Sequence, residues 1–320
     1  MPTPLAQSAI TRRASLALAA GVAALPTLAA ASAPRREIEV PHAKGMARVM
    51  QTPRTPVVFD LATLDAMHAL QLPVAGVARA GLPPYLQAFS DARKYPVAGT
   101  LFEPDFEALS RLRPDLILVG GRSAARLDTL SRIAPTLDMS TRSTHLLQDM
   151  DRNVSTLGAL FGKQSMAEQL MALVNREIET LKPLAQQAGP GLLVLAINDK
   201  LNVQAPGSRF GLLHDVLGVP PALAAGQSPQ RGQSFTMEDI ARIDPEWLYV
   251  IDRNAATGSA PGGAEMIPSQ KVFDNPTIRA TKAGRNGKVL FLDPKGWYLL
   301  GSAGPIAMIN NVRQIRTALG

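Results

Sequence analysis

The chain has 320 residues, of which 46% are hydrophobic, enough for two globular lobes with cores and too apolar for disorder. It contains no cysteine, which excludes a structural disulfide and a lipid-bearing cysteine anchor. The net charge is +7; removing residues 1–33, which hold Arg12 and Arg13 and no acid, leaves +5 (7 − 2). On an exported protein that charge suits a small anionic ligand better than nucleic acid.

Residues 1–33 read as a targeting peptide. Thr11-Arg12-Arg13 forms the charged start, Ala14 to Leu28 the apolar stretch and Ala31-Ser32-Ala33 a small-residue cleavage site. The paired arginines suit twin-arginine export and the rest of the segment suits the general route equally. The address is therefore the periplasm, free of the membrane. After an N-terminal segment (34–55), Pro56 begins VVFDLA, a buried-strand pattern, followed by LDAMHALQL at helical spacing and VAGVA as a second strand, which opens an α/β unit. Asp60 at the end of the first strand suits a helix cap or a site residue. Leu116 to Val119 is a strand ending in Gly120-Gly121-Arg122, and Leu146 to Phe161 completes a first lobe, 56–163, and leads into the helix that follows.

Ser165 to Ala188 then reads as one long helix, because Met166, Leu170, Leu173, Val174, Ile178 and Leu181 recur at three- and four-residue steps. Ser165 with Glu168 has the form of a capping box, and Gly189-Pro190-Gly191 ends the run. This connecting helix, 164–189, would be about 35 Å long at about 1.5 Å per residue and could join two lobes. The second lobe, 190–320, starts with LLVLAI, turns at Asn198-Asp199 into LNVQA and reaches Gly207-Ser208-Arg209-Phe210. A helix over Gly211 to Leu217, a polar loop over Gly226 to Gly232, a mobile loop AATGSAPGG after Arg253, a strand over Lys288 to Leu292, Trp297-Tyr298 and a closing helix over Ile306 to Leu319 complete it.

FEALSRLRPDLILVGGR (106–122) and MEDIARIDPEWLYVIDR (237–253) align without a gap at an offset of 131 (237 − 106). Each copy opens with an acid, Glu107 or Glu238, at a helix start and closes with an arginine after a strand. Sheets of this kind bind ligands at the carboxyl ends of their strands, so Arg122, Arg209 and Arg253 are expected to converge between the lobes. Guanidinium stays charged at any working pH, offers a planar fork to anionic oxygens and stacks on aromatic rings. His42, His68, His145 and His214 show no ligand spacing, and no nucleophile elbow, phosphate loop or dinucleotide fingerprint is present, so neither a resident metal or cofactor nor catalysis is expected.

VVFDLATLDAMHAL, RPDLILVGGRSA, GSRFGLLHDVLGV, VIDRNAA and FLDPKGWYL together resemble the periplasmic iron-siderophore binding proteins of ABC importers, especially the ferric-catecholate branch, from about Ile38 onward. The resemblance implies two Rossmann-like α/β lobes joined by a single rigid helix, a monomeric receptor with no cofactor, and little hinge closure. It implies an anionic ferric siderophore as ligand, with ferric citrate, haem or a periplasmic enzyme on the same fold as rivals. Delivery would be to an inner-membrane permease and its ATPase. It places anion binding on Arg122, Arg209 and Arg253, a cleft tyrosine able to reach iron on Tyr298, and permease docking on Glu107 and Glu238. Where close catecholate binders carry a histidine that can ligate iron, this chain reads Arg231, which implies a preference for hexadentate, strongly anionic complexes over tetradentate ones.

Overall fold

Runs of consecutive buried apolar residues build two sheets in the computed structural model, which describes residues 35–223 and 235–320. The targeting peptide, the 226–232 loop and Arg231 lie outside the described residues. The segment before Pro56 is an antiparallel hairpin, β1 (Glu37–His42) with β2 (Gly45–Met50). It is fastened to the first lobe by Ala43 N to Asp138 O (2.7 Å) and by Thr156 Oγ1 to Pro41 O (2.8 Å).

The first lobe holds β3 (Pro56–Val58), β4 (Gly76–Arg79), β5 (Val97–Thr100), β6 (Leu116–Val119) and β7 (Thr136–Asp138). All are parallel, in the order β5-β4-β3-β6-β7. Its helices are α1 (Leu61–Ala69), α2 (Phe106–Leu112), the single turn α3 (Leu127–Leu130) and α4 (Leu146–Phe161). Every residue of β3 and β6 is buried, as strands covered on both faces must be.

The long helix α5 spans Gln164–Gln186, and the capping box expected at Ser165 and Glu168 does not form. The preceding helix ends at Gly162 in the left-handed conformation (φ 65°), Lys163 occupies the cap position, and Ser165 is already inside the helix. A two-residue corner between helices, rather than a side-chain cap, sets the start. Of its expected stripe Val174, Ile178 and Leu181 are buried and Met166, Leu170 and Leu173 half-buried, and Met171 is buried beside them.

The second lobe holds β8 (Gly191–Ile197), β9 (Lys200–Gln204), β10 (Trp247–Asp252) and β11 (Val289–Phe291), in the order β11-β10-β8-β9, with β8 and β9 antiparallel and the other neighbours parallel. The helix expected over 211–217 is one π-helical turn, Leu212–Val216, and a second such turn, Lys295–Leu299, carries Trp297 and Tyr298. The remaining helices are α6 (Met237–Ile243), α7 (Arg253–Thr257), α8 (Ser269–Phe273), α9 (Pro276–Arg279), α10 (Lys282–Arg285) and α11 (Pro305–Leu319). The first residues of the expected mobile loop after Arg253 are therefore helical, with the Asp252 carboxylate capping α7 at Ala255 N, 2.9 Å.

The closing helix serves both lobes, with Gln314 donating to Phe291 O of β11 at 3.1 Å and accepting from Asp293 N at 3.0 Å. It packs on α5 and on α1, and its Ala307, Met308, Val312 and Ile315 join the core of the first lobe. Glu177 of α5, turned toward this helix rather than to solvent, accepts from Arg313 Nε (3.0 Å) and Arg316 Nη1 (2.9 Å). The hydrogen bonds from Arg313 hold the Glu177 carboxyl below its ordinary range. Asp65 of α1, with no exposed surface, accepts from Ile306 N (2.8 Å) and Ala307 N (3.0 Å) and from the Tyr85 hydroxyl (2.6 Å). A carboxylate of one lobe thus caps a helix that follows the other in sequence.

Candidate functional site

In the first sheet β3 and β6 are neighbours with the chain running outward on either side, so their carboxyl ends form the crevice of a topological switch point. Asp60 follows β3 there, and Gly120-Gly121-Arg122 follows β6. Asp60 Oδ2 accepts from Thr63 N and Oγ1, both at 2.8 Å, and so caps α1. Gly120 is required beside it, since a Cβ would lie 2.5 Å from the Asp60 carboxyl carbon.

Arg122 reaches from this crevice into the second lobe, donating from Nη1 to Leu299 O (2.9 Å) and from Nη2 to Tyr298 O (3.1 Å). Arg209, in the loop after β9, donates to the same Tyr298 carbonyl. Its guanidinium stands 4.9 Å from the Tyr298 ring centre and 5.2 Å from that of Phe210, and the Arg122 guanidinium 5.9 Å from the Tyr298 ring. Partial desolvation and then the like charge of Arg122 lower the Arg209 pKa, although the residue stays cationic at any working pH. Two cations are thus held together by neutral carbonyls and ring faces, and an anion entering between them would relieve their repulsion.

Both arginines line a cavity of about 470 Å³ whose other polar walls include Asp60 and the hydroxyl residues Ser140, Thr141 and Ser143. The lobes meet at its rim through Ser143 Oγ to Gly207 O, 3.2 Å. Tyr298 contributes its carbonyl and ring to the arginines without being a wall of the cavity. Arg253 is not brought to it. Its Nη1 donates to Ser259 O (3.0 Å) within its own loop. The repeat explains the divergence: β6 stops at Val119, while β10 continues through Ile251 and Asp252, the counterparts of Gly120 and Gly121. Arg253 therefore starts a capped helix, where Arg122 follows a glycine turn into the crevice.

Glu107 and Glu238 are both exposed and both second in their helices, α2 and α6, which superpose residue for residue at the offset of 131 (237 − 106 and 243 − 112). Helices that run back along a parallel strand begin near its carboxyl end, which puts both acids toward the face on which the crevice opens. His214 is half-buried with Nδ1 2.8 Å from Val219 O, and burial lowers its pKa. Among the described residues no group of three or more His, Asp or Glu is placed to hold a metal.

The support of the cavity floor was not legible in the sequence. Asp149 of α4, almost wholly buried, accepts from Arg142 Nε (2.9 Å) and Nη2 (2.8 Å) and from Arg152 Nη1 (2.9 Å). Burial alone would raise this carboxyl, and the two arginines overcome it and hold it below its ordinary range. Arg152 also donates to Ser140 O at 2.8 Å, which fixes the loop bearing Ser140, Thr141 and Ser143. The i, i+3 spacing of Asp149 and Arg152 was the only signal available.

Residues 57–295 match the family described as periplasmic binding protein. The petrobactin-binding protein YclQ of Bacillus subtilis is 33% identical over 290 residues, 89% of each chain, and its crystal structure superposes with a TM-score of 0.82 over 89% of this chain and 99% of that one. The ferric-anguibactin-binding protein FatB of Vibrio anguillarum is 29% identical over 83% of each chain. The periplasmic catecholate-siderophore binding protein VctP of Vibrio cholerae has a TM-score of 0.77 at 27% identity, over 89% of this chain and 99% of that one. With a matched segment that takes in both sheets and the connecting helix, the chain belongs to the periplasmic binding protein family.

Proposed function

We propose that this protein captures an anionic ferric siderophore, of catecholate type, in the crevice between its lobes and delivers it to an inner-membrane ABC permease, performing no chemistry on it. The observation that carries this reading is the convergence of Arg122 and Arg209, one from each lobe and both lining an open cavity, on the single carbonyl of Tyr298. Planar guanidinium groups beside Tyr298 and Phe210 suit flat, anionic catecholate rings, which they can both neutralise and stack upon. Arg253 would join them by giving up the Ser259 carbonyl, and Arg231 would add charge from its loop. The relatives named above, which bind petrobactin, ferric anguibactin and catecholate siderophores, support the same ligand class. No helix among the described residues is long and apolar enough to cross a membrane.

The test is a titration of intrinsic tryptophan and tyrosine fluorescence with a panel of ferric complexes: a tris-catecholate, a bis-catecholate, citrate, and haem for comparison. Quenching by a catecholate complex at submicromolar concentration is the expected result. Tighter binding of ferric citrate or haem than of any catecholate would replace the ligand class, and binding of none would overturn the reading.

A further inference from the structure

The crevice contains one feature that an anion receptor has no use for. Asp60 lines the same cavity as Arg122 and Arg209 and adds an acidic side chain to its wall. Capping α1 explains why a side-chain oxygen is present at this position, and only Oδ2 does that work. Asparagine, serine or threonine would cap as well, and Thr236 and Asn275 cap other helices of this chain. Oδ1 has no hydrogen-bond partner among the described residues and is not among their buried unpaired polar atoms, so it keeps some accessible surface on a residue that lines the cavity. Gly120 lets the carboxylate lie directly against the turn that carries Arg122.

We propose that Asp60 is a specificity-determining residue that selects chelates bearing a proton donor, of the ammonium or N–H class, next to their anionic oxygens. This rests on the receptor reading and sharpens it from an anionic chelate to one of mixed charge. A wholly anionic complex would meet repulsion from Oδ1 beside the attraction of the arginines, while a complex with a donor arm would satisfy both. Burial raises the Asp60 pKa, and the Thr63 hydrogen bonds and the charge of Arg122 work against that rise. A cation arriving at Oδ1 would act in the same sense as Arg122 and favour the ionised form.

The experiment compares two ferric bis-catecholate complexes that differ only in the linker, one with a free secondary amine and one with that amine N-acetylated, on wild type and on Asp60→Asn. Asparagine retains the cap acceptor, and Asp60→Ser serves as a second capping variant, with melting curves recorded for both. Wild type is expected to bind the amine complex at least about tenfold more tightly than the acetylated one, the ratio that follows from one charge-assisted hydrogen bond. Both variants should bring that ratio close to one and bind the acetylated complex more tightly than wild type does. A wild-type ratio near one, a ratio unchanged in the variants, or an equal shift for both complexes would overturn the proposal while leaving the receptor reading intact. Failure of wild type to bind either complex, or ferric complexes of the wider panel, would overturn both.

Discussion

The two copies of the helix-strand unit agree in backbone and part company in use. α2 and α6 have the same length, end on left-handed residues at matching positions, Arg113 (φ 46°) and Asp244 (φ 47°), and present Glu107 and Glu238 alike to solvent. Past the strands the likeness stops, for Arg122 crosses to the opposite lobe while its counterpart Arg253 is tied to Ser259. What the copies share faces outward, and what they do not share is the arginine that only the first sends into the crevice. A partner with two-fold symmetry would read the shared part, and a ligand without symmetry the rest. The contrast extends to the cores: the first lobe shares a continuous core with α5 and α11, while the outer face of the second sheet, under α6, α8 and α9, packs as a separate cluster.

The largest effect expected is on the shared acids. Glu107→Lys with Glu238→Lys should abolish siderophore uptake by cells while leaving the affinity of the purified protein unchanged. Uptake at wild-type rates by a stably exported double mutant would return both residues to local helix electrostatics, worth about 0.3–1 kcal/mol each.

Next in size is the clasp that Asp65 of the first lobe closes on the start of α11. Burial raises the Asp65 carboxyl to about 6, against the hydrogen bonds from Tyr85, Ile306 and Ala307. A carboxyl raised on folding favours the native state while protonated, and that contribution is lost as pH rises from the unfolded value through the folded one. Between pH 4 and pH 7 the stability advantage of wild type over Asp65→Asn should therefore shrink, by on the order of 3 kcal/mol. Denaturant melts of both proteins across that range check it, and parallel pH curves would contradict it.

A smaller effect tests the turn that sets the copies apart. Gly120→Ala should cost about 1–3 kcal/mol of stability by driving a methyl group into the Asp60 carboxyl. Affinity should fall with it, because Arg122 hangs on the same turn. The smallest expected effect separates the two arginines. Arg122→Ala should cost about 1.5–3 kcal/mol of siderophore binding, the scale of a charge-assisted hydrogen bond. Arg253→Ala should cost about 1 kcal/mol less, since Arg253 has a carbonyl bond to surrender before it can reach a ligand. Equal losses in calorimetric titrations would mean that the Ser259 bond carries no weight.

Periodicity was the readable part of this chain. The apolar spacing of 165–188 matches α5, Gln164–Gln186, to within two residues at either end, and Asn198-Asp199 is the hairpin corner between β8 and β9. The short strands β5 and β7 and the hairpin of β1 and β2 escaped, because three to six residues give a two-residue alternation little room to rise above background. The arginines show a different limit. A gapless repeat fixes the order of residues and leaves open where a strand releases its chain, and a difference of two residues at that point sent Arg253 away from Arg122. The clasp at Asp65 was invisible for a stronger reason, since no local pattern can announce a partner that lies 241 residues away.

That separation also sets a clock. At synthesis rates of about 5–20 residues per second, the backbone donors that satisfy Asp65 emerge some 10–50 seconds after it. Until then the first sheet, finished in sequence at Asp138, lacks one helix of its cover, and the Leu299–Ala303 wall of the crevice has no α11 to hold it in place. Contacts of such range close late, after the local helices and hairpins are formed. A chain cut anywhere between Phe210 and Trp297 would carry both crevice arginines and neither the carbonyl they share nor the Leu299–Ala303 wall.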